Sequence, residues 1–239
     1  MGCCNSNLEP ASNTNTVLKI DTPQDEEVLI KKAENLLPFA NRSSKEIVPL
    51  IIAKGKVGVL SMIRLRRIAI NLDLDPTVFS NNKTLLNSQV FQILKSDKNQ
   101  LDILDLALFA VLVGEDSSLE KASLIFNIFK NKESELLTKE VFTEALEKAI
   151  EISSEKIPQM ALLYNQITQK ELDSYKETLL ENKTKYINSV VVKVFKGKIN
   201  LDQKEFLKNL NDSSLLAEIT WASEIRAALS SAPQFVQTV

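Results

Sequence analysis

Residues 126–142 read FNIFKNKESELLTKEVF, and this stretch decides how the rest of the chain is interpreted. Its first apolar residues have the spacing of a buried helix face, and residues 130–141 that follow are mostly polar. Leu137 lies within this polar segment, and Phe142 resumes the helical spacing directly after it. The pattern predicts a helix, a polar loop with one inward-facing leucine, and a second helix.

Three further segments repeat this shape with decreasing clarity. They cover residues 94–105, 194–205 and 53–64, and each is followed at once by a leucine or a phenylalanine. Apolar residues with helical spacing precede each of them. The eighth residue of every segment is a leucine, and the four are Leu60, Leu101, Leu137 and Leu201.

A helix, a twelve-residue loop with an apolar eighth residue, and a second helix together resemble an EF-hand. The stretch 118–129 also resembles the linker of the neuronal calcium sensor and calcineurin B-like families. The resemblance covers most of residues 24–210. It implies an all-α fold with two pairs of EF-hand-like units, an inserted helix that contains Tyr175, and an extra C-terminal helix. The alternative is a set of helix–turn–helix units in an unrelated bundle.

The four loops lack the acidic residues that calcium needs. Carboxylates at loop positions 1, 3, 5 and 12 supply most of the negative charge of an EF-hand site. No loop has an acid at position 1, only two have one at position 12, and Lys130 and Lys132 add positive charge. Positions 1 and 12 are occupied by Ala53 and Arg64, Leu94 and Asp105, Lys130 and Val141, and Val194 and Glu205. We therefore expect no metal site and no cofactor.

Composition argues against an enzyme. The chain has no histidine, and its only cysteines are Cys3 and Cys4. The commonest general base, zinc patterns and a buried cysteine nucleophile are therefore missing. No glycine-rich phosphate loop is present either. The net charge of −2 gives no overall attraction to nucleic acid.

Capping signals and apolar spacing predict the helices. Thr22 before Pro23 starts a helix to about Leu37, and Ser43 with Glu46 predicts a capping box for the next. A second capping box is expected at Ser117 and Glu120, breaks are expected at Pro158 and at residues 165–168, and the β-branched run 190–192 is assigned to helix rather than strand. Later helices are predicted at 61–71, 86–94, 102–113, 118–129, 139–152, 155–167, 169–182, 186–195, 203–210 and 213–230.

The N-terminus reads MGCCNS, which fits N-myristoylation of Gly2 after removal of Met1. One myristoyl chain anchors a protein only marginally, so a second signal is needed. Cys3 and Cys4 lie beside the glycine and could be palmitoylated. We expect residues 1–22 to be an acylated flexible tail on the cytosolic face of a membrane, with the plasma membrane and the ciliary membrane both open. Chance occurrence of the motif is the alternative.

A stretch without any acid contains Lys54, Lys56, Arg64, Arg66 and Arg67. Such a basic surface attracts anionic lipid, and each charge near the bilayer contributes about 1 kcal/mol. A solvated helix face is the alternative interpretation, because charge runs often have no further role.

The C-terminal residues carry an apolar helical stripe with Trp221 at its edge. The resemblance implies a hydrophobic groove that binds an amphipathic helix of a partner protein. The stripe is then either a built-in ligand for this groove or an ordinary core helix. Its residues are Leu215, Ile219, Ala222, Ile225 and Leu229.

The sequence as a whole predicts a helical domain at residues 23–230 and a C-terminal tail at 231–239. We expect a non-catalytic adaptor, tethered to a membrane by acyl chains, which binds a helix of an unidentified protein without calcium. A calcium-sensing regulator and a membrane-associated structural scaffold are the alternatives.

Overall fold

The computed structural model describes residues 23–54, 58–79, 85–95 and 100–231, but not the side chains of residues 23–25, Lys54 and Met62. Over these residues the protein is predominantly helical, as predicted. The helices are α1 (Pro23–Glu34), α2 (Ser44–Lys54), α3 (Met62–Asn71), α4 (Leu86–Ile93), α5 (Ile103–Val113), α6 (Ser118–Phe129), α7 (Lys139–Glu151), α8 (Ile157–Leu163), α9 (Gln169–Glu181), α10 (Lys183–Phe195), α11 (Gln203–Asn209), α12 (Ser213–Thr220) and α13 (Ala222–Ser231), with a π-helical turn at Ile152–Lys156. Two short strands are β1 (Leu137–Thr138) and β2 (Asn200–Leu201).

The four helix–loop–helix windows are numbered along the chain by their loops, 53–64, 94–105, 130–141 and 194–205. The first two windows meet through their loops. Val59 and Asp102 form an isolated antiparallel bridge. The Leu60 amide donates to the Leu101 carbonyl at 3.0 Å, and the Ile103 amide donates to the Gly58 carbonyl at 3.1 Å. Both predicted loop leucines, Leu60 and Leu101, are buried. Helices α2 to α5 flank this short ladder, and α2 packs against α3 and α5.

The third and fourth windows meet in the same way. Strands β1 and β2 pair antiparallel, with Leu137 opposite Leu201. Both leucines are fully buried. The ring of Phe142 lies 5.7 Å from that of Phe195 and 5.6 Å from that of Phe206, so aromatic packing joins α7, α10 and α11 beneath the strands.

The insertion between the third and fourth windows is larger than one helix. It contains the π-helical turn, α8 and α9, and Tyr175 lies in α9 as predicted. The predicted break at Pro158 is wrong, because this proline lies in the first turn of α8. Proline has no amide hydrogen and its ring crowds the carbonyl four residues earlier, so the preceding wide turn relieves both problems. The break at residues 165–168 is confirmed between α8 and α9.

The single C-terminal helix predicted at 213–230 is also wrong. Two helices, α12 and α13, are separated at Trp221, whose backbone is extended (φ −123°, ψ 129°). The indole nitrogen of Trp221 donates to the Ser118 hydroxyl on α6 at 2.8 Å. This tertiary contact holds the side chain on α6 while the backbone turns, and no helical period in the sequence encodes it.

The predicted capping boxes have different outcomes. Ser117 and Glu120 form both reciprocal bonds and begin α6, which confirms the second predicted box. At Ser43 the helix begins as predicted, but the Glu46 amide donates to the Ser43 carbonyl at 3.1 Å and the Ser43 hydroxyl donates to the Asp116 carboxylate at 2.9 Å. The run 190–192 lies inside α10, so its assignment to helix is confirmed.

Candidate functional site

One lysine ammonium group lies beside each of the two acidic residues at loop position 12. In the fourth loop the Lys198 ammonium forms a salt bridge with the Glu205 carboxylate. In the second loop the Asp105 carboxylate lies 2.5 Å from the ammonium of Lys148, which belongs to α7. An EF-hand would present both carboxylates to calcium, so an internal cation occupies the place where the metal charge would be needed.

The second loop shows the electrostatic cost of this arrangement. Burial raises the pKa of Asp105, and the hydrogen bond and charge of Lys148 oppose that rise. The ammonium therefore offsets part of the cost of burying this carboxylate.

The third loop is held by its own side chains. Lys130 at loop position 1 forms a salt bridge with Glu135. The Asn131 side-chain oxygen accepts hydrogen bonds from the amides of Glu133 and Ser134 at 2.8 and 3.0 Å. Within the described ranges, no cluster of three or more aspartate, glutamate, histidine or cysteine side chains could hold a metal ion.

The predicted C-terminal stripe divides between two environments. Ile219 of α12 packs with residues of α5, α6 and α7 around a residual cavity of only about 10 Å³. The groove between these helices is therefore almost closed, because one water molecule needs about that much space. The groove residues are Leu108, Ile125, Phe142, Ala145, Leu146 and Ala149. We call this cleft the α6–α7 groove.

The other stripe residues lie in the interior. Leu215 is buried beside α6, whereas Ile225 and Leu229 of α13 are fully buried against α7, α9, α10 and the π-helical turn. Both halves of the stripe, in α12 and in α13, are therefore buried.

Trp221 joins these halves beside a buried lysine. The Lys121 ammonium lies 3.1 Å from the centre of the indole ring, which is a cation–π contact. It also donates to the Leu112 carbonyl at 3.5 Å. Burial lowers the pKa of Lys121 to about 7, although the charges of Asp116 and Glu34 oppose the change.

A buried ionic cluster links α13 to α1. Arg226 is fully buried and donates two hydrogen bonds of 2.8 Å to the Glu27 carboxylate. It also donates to Glu34 at 2.7 Å and to the Ser153 carbonyl at 3.0 Å, while the Tyr175 hydroxyl donates to Glu27. Burial alone would lower the pKa of Arg226, but Glu34 and Glu27 hold it well above its ordinary value.

Sequence reasoning missed this cluster and Lys121. Glu27 and Glu34 are seven residues apart and therefore share one face of α1, which was the only available signal. Nothing in the sequence connects that face with Arg226, which is 199 residues from Glu27.

The predicted membrane residues have mixed outcomes. Gly2, Cys3 and Cys4 lie outside the described residues, and so do Lys56 and the side chain of Lys54. Arg64, Arg66 and Arg67 are all exposed on α3. None of the described helices is long and apolar enough to cross a bilayer.

Comparison with protein-family models, with curated proteins and with solved structures found no match for this chain.

Proposed function

We propose that this chain is a non-catalytic adaptor, tethered by acyl chains to the cytosolic face of a membrane, whose α6–α7 groove binds an amphipathic helix of a partner protein. The four helix–loop–helix units are, in this proposal, two pairs of EF-hand-like units that work without calcium. The observation that supports the proposal is the position of Ile219, because this residue of a helix with an apolar stripe lines the groove beside residues of α5, α6 and α7.

The contacts of α12 explain how such a groove could be shared. One apolar side chain of α12, Ile219, lines the small residual cavity together with Ile125, Phe142 and Leu146. A partner helix with a large apolar residue at the matching position would make the same contacts. The α12 helix has only eight residues, so replacing it requires less ordered structure to move than replacing a long helix.

Independence from calcium is supported by the paired loops. Leu137 and Leu201 lie opposite each other in the short ladder, and a lysine neutralises the position-12 carboxylate of the fourth loop. An EF-hand scaffold held together in this way gains its loop geometry from backbone pairing and an internal ammonium group. A calcium sensor would need these carboxylates free to bind the ion.

The membrane part of the proposal depends on Gly2, Cys3 and Cys4 together. The acyl chains would supply two membrane signals, which is the number needed for stable anchoring. The non-catalytic part is supported by the absence of histidine and of any cysteine beyond position 4.

A labelled peptide with the sequence of residues 212–221 tests the groove. In the full-length protein, Ile219→Ala removes most of the α12 side chain that lines it, and truncations of this kind cost about 2–5 kcal/mol. The internal competitor is then weaker, so we expect the peptide to bind this variant at least tenfold more tightly than the wild type. Fluorescence anisotropy measures the affinity, in calcium and in chelator, and the two conditions should agree.

The matched control is Val192→Ala, because Val192 is 69% exposed on α10 and lies outside the groove. Peptide affinity of this variant should equal that of the wild type. A folded Ile219→Ala protein that does not bind the peptide would contradict the groove proposal, and binding only in calcium would contradict the ion-independent part.

A further inference from the structure

The outer face of α3 combines exposed apolar and basic side chains. Leu65, Ile68 and Ala69 of this helix are buried, so its inner face is already packed. Ile63 is 67% exposed and Ile70 is 61% exposed, and these two residues lie about two helical turns apart.

Two arginines lie between the two isoleucines along the helix. Arg66 and Arg67 are three and four residues after Ile63, so all four side chains project from the same side of the helix. Both arginines are exposed, as is Arg64 on the flank. We call Ile63, Arg66, Arg67 and Ile70 the outer face of α3.

No carboxylate neutralises these arginines within the part of the chain that the structure describes. The helix itself contains no acid. Asp73 and Asp75 follow its C-terminal end, and Asp75 accepts hydrogen bonds from Thr77. By contrast, the exposed Lys45 and Lys198 both form salt bridges. The outer face of α3 therefore keeps its positive charge available.

We propose that the outer face of α3 rests on an anionic bilayer, with its arginines on lipid headgroup phosphates and its isoleucines in the interface. This inference rests on the proposed membrane tether, which would keep the face close to lipid. Arginine is well suited to phosphate because its guanidinium donates two parallel hydrogen bonds. Shallow burial of the isoleucines adds an apolar contribution.

A flat surface fits this face better than a protein groove does. The isoleucines lie at the two ends of the face with charges between them, whereas a helix that enters a groove presents a continuous apolar stripe. Contact through α3 would also fix the orientation of the domain, which acyl chains on a long tail cannot do by themselves.

Sedimentation with vesicles tests the proposal on the unacylated full-length protein, which carries Gly2→Ala. The vesicles contain phosphatidylcholine alone or phosphatidylcholine with phosphatidylserine. The protein should bind the second kind more tightly, and added salt should reduce this binding. Removing both arginines (Arg66→Ala with Arg67→Ala) should lower partitioning onto the anionic vesicles about thirtyfold, since each charge contributes about fivefold.

A second variant tests the apolar contribution. Ile63→Ser with Ile70→Ser should reduce binding to the anionic vesicles by about tenfold or more, because both side chains lose apolar area that the bilayer would cover. All four positions are exposed, so circular dichroism should show that both variants fold.

The matched control replaces Val192 and Ile199 by serine and Lys193 and Lys196 by alanine. Val192 and Ile199 are each 69% exposed, and the two lysines lie close to them in sequence. This surface should contribute nothing, so the control should bind as the wild type does.

Three outcomes would overturn the proposal. They are equal binding to both kinds of vesicle, unchanged binding of the α3 variants, and an equal loss in the matched control. Variants that bind vesicles normally but leave the membrane in cells would assign the face to a protein partner instead. The tether is tested separately: if Gly2→Ala protein that also carries Arg66→Ala and Arg67→Ala stays on cellular membranes, the acyl anchor is wrong while the vesicle result still stands.

Discussion

Replacing Arg226 by methionine should be one of the most destabilising single changes in this protein. The guanidinium donates four hydrogen bonds, two to Glu27, one to Glu34 and one to the Ser153 carbonyl. Methionine has a similar length but no donor, so the Glu34 carboxylate and the Ser153 carbonyl lose these hydrogen bonds, and Glu27 retains the one from the Tyr175 hydroxyl. Because Arg226 is fully buried, water cannot replace these bonds without opening the interface.

The magnitude follows from the burial of the remaining charges. Removing one partner of a buried ionic cluster costs about 3–5 kcal/mol, because the other charges are left uncompensated. Glu27 and Glu34 keep 24% and 13% of their side-chain surface exposed, so partial solvation favours the lower end of that range. A loss of about 3 kcal/mol is large against the total stability of about 5–15 kcal/mol typical of a domain.

Urea unfolding followed by circular dichroism measures this loss. Arg64→Met is the matched control, because this exposed arginine forms no salt bridge within the described residues, and its effect should stay within about 0.5 kcal/mol. Adding Glu27→Leu and Glu34→Leu to Arg226→Met should recover much of the loss, since apolar replacement of a whole cluster is often neutral. A free energy of unfolding for Arg226→Met within about 1 kcal/mol of the wild-type value would contradict this prediction. A triple variant that is less stable than Arg226→Met would contradict it as well.

Three further predictions concern pH, calcium and the anchor. The pKa of Lys121 is lowered in the folded state to about 7 from 10.5, so between these pH values the unfolded chain holds more protons and stability should rise with pH. Lys121→Met should lack this rise in urea unfolding measured across the same range, and an unchanged slope would contradict the assignment. Calcium affinity should be no tighter than about the millimolar range, and a micromolar isotherm in calorimetry would show that the loops bind the ion after all. Gly2→Ala should move the protein to the soluble fraction of cells, whereas Cys3→Ser with Cys4→Ser should leave weak, reversible binding that fractionation under washing can reveal.

Local chemistry made much of the fold predictable. The start of α6 follows from Ser117 and Glu120, which satisfy each other's backbone donors within a single turn. The helical spacing of apolar residues located α5, α7 and α9 within one or two residues, because side chains three and four positions apart share a face. The four loop leucines were also recognisable, because each is the eighth residue of a polar segment that repeats along the chain.

The site could be read from the sequence only in part. The lack of acids at the loop positions was visible in the residues themselves. The sequence did not show that Lys148 and Lys198 would lie beside the two remaining carboxylates, because a lysine on any exposed helix looks the same in a sequence. The exposure of Ile63 and Ile70 beside the arginines likewise required knowing which side of α3 is packed.

The sequence by itself determined where most helices begin and end, and which loops lack the acids for calcium, because these properties arise within one or two turns of chain. Only the tertiary structure decided the break at Trp221 and the pairing of Arg226 with Glu27 and Glu34. Each of the side-chain contacts joins residues 100 or more positions apart. Their energy depends on burial and on the distance between charges, and neither quantity exists until the chain has folded.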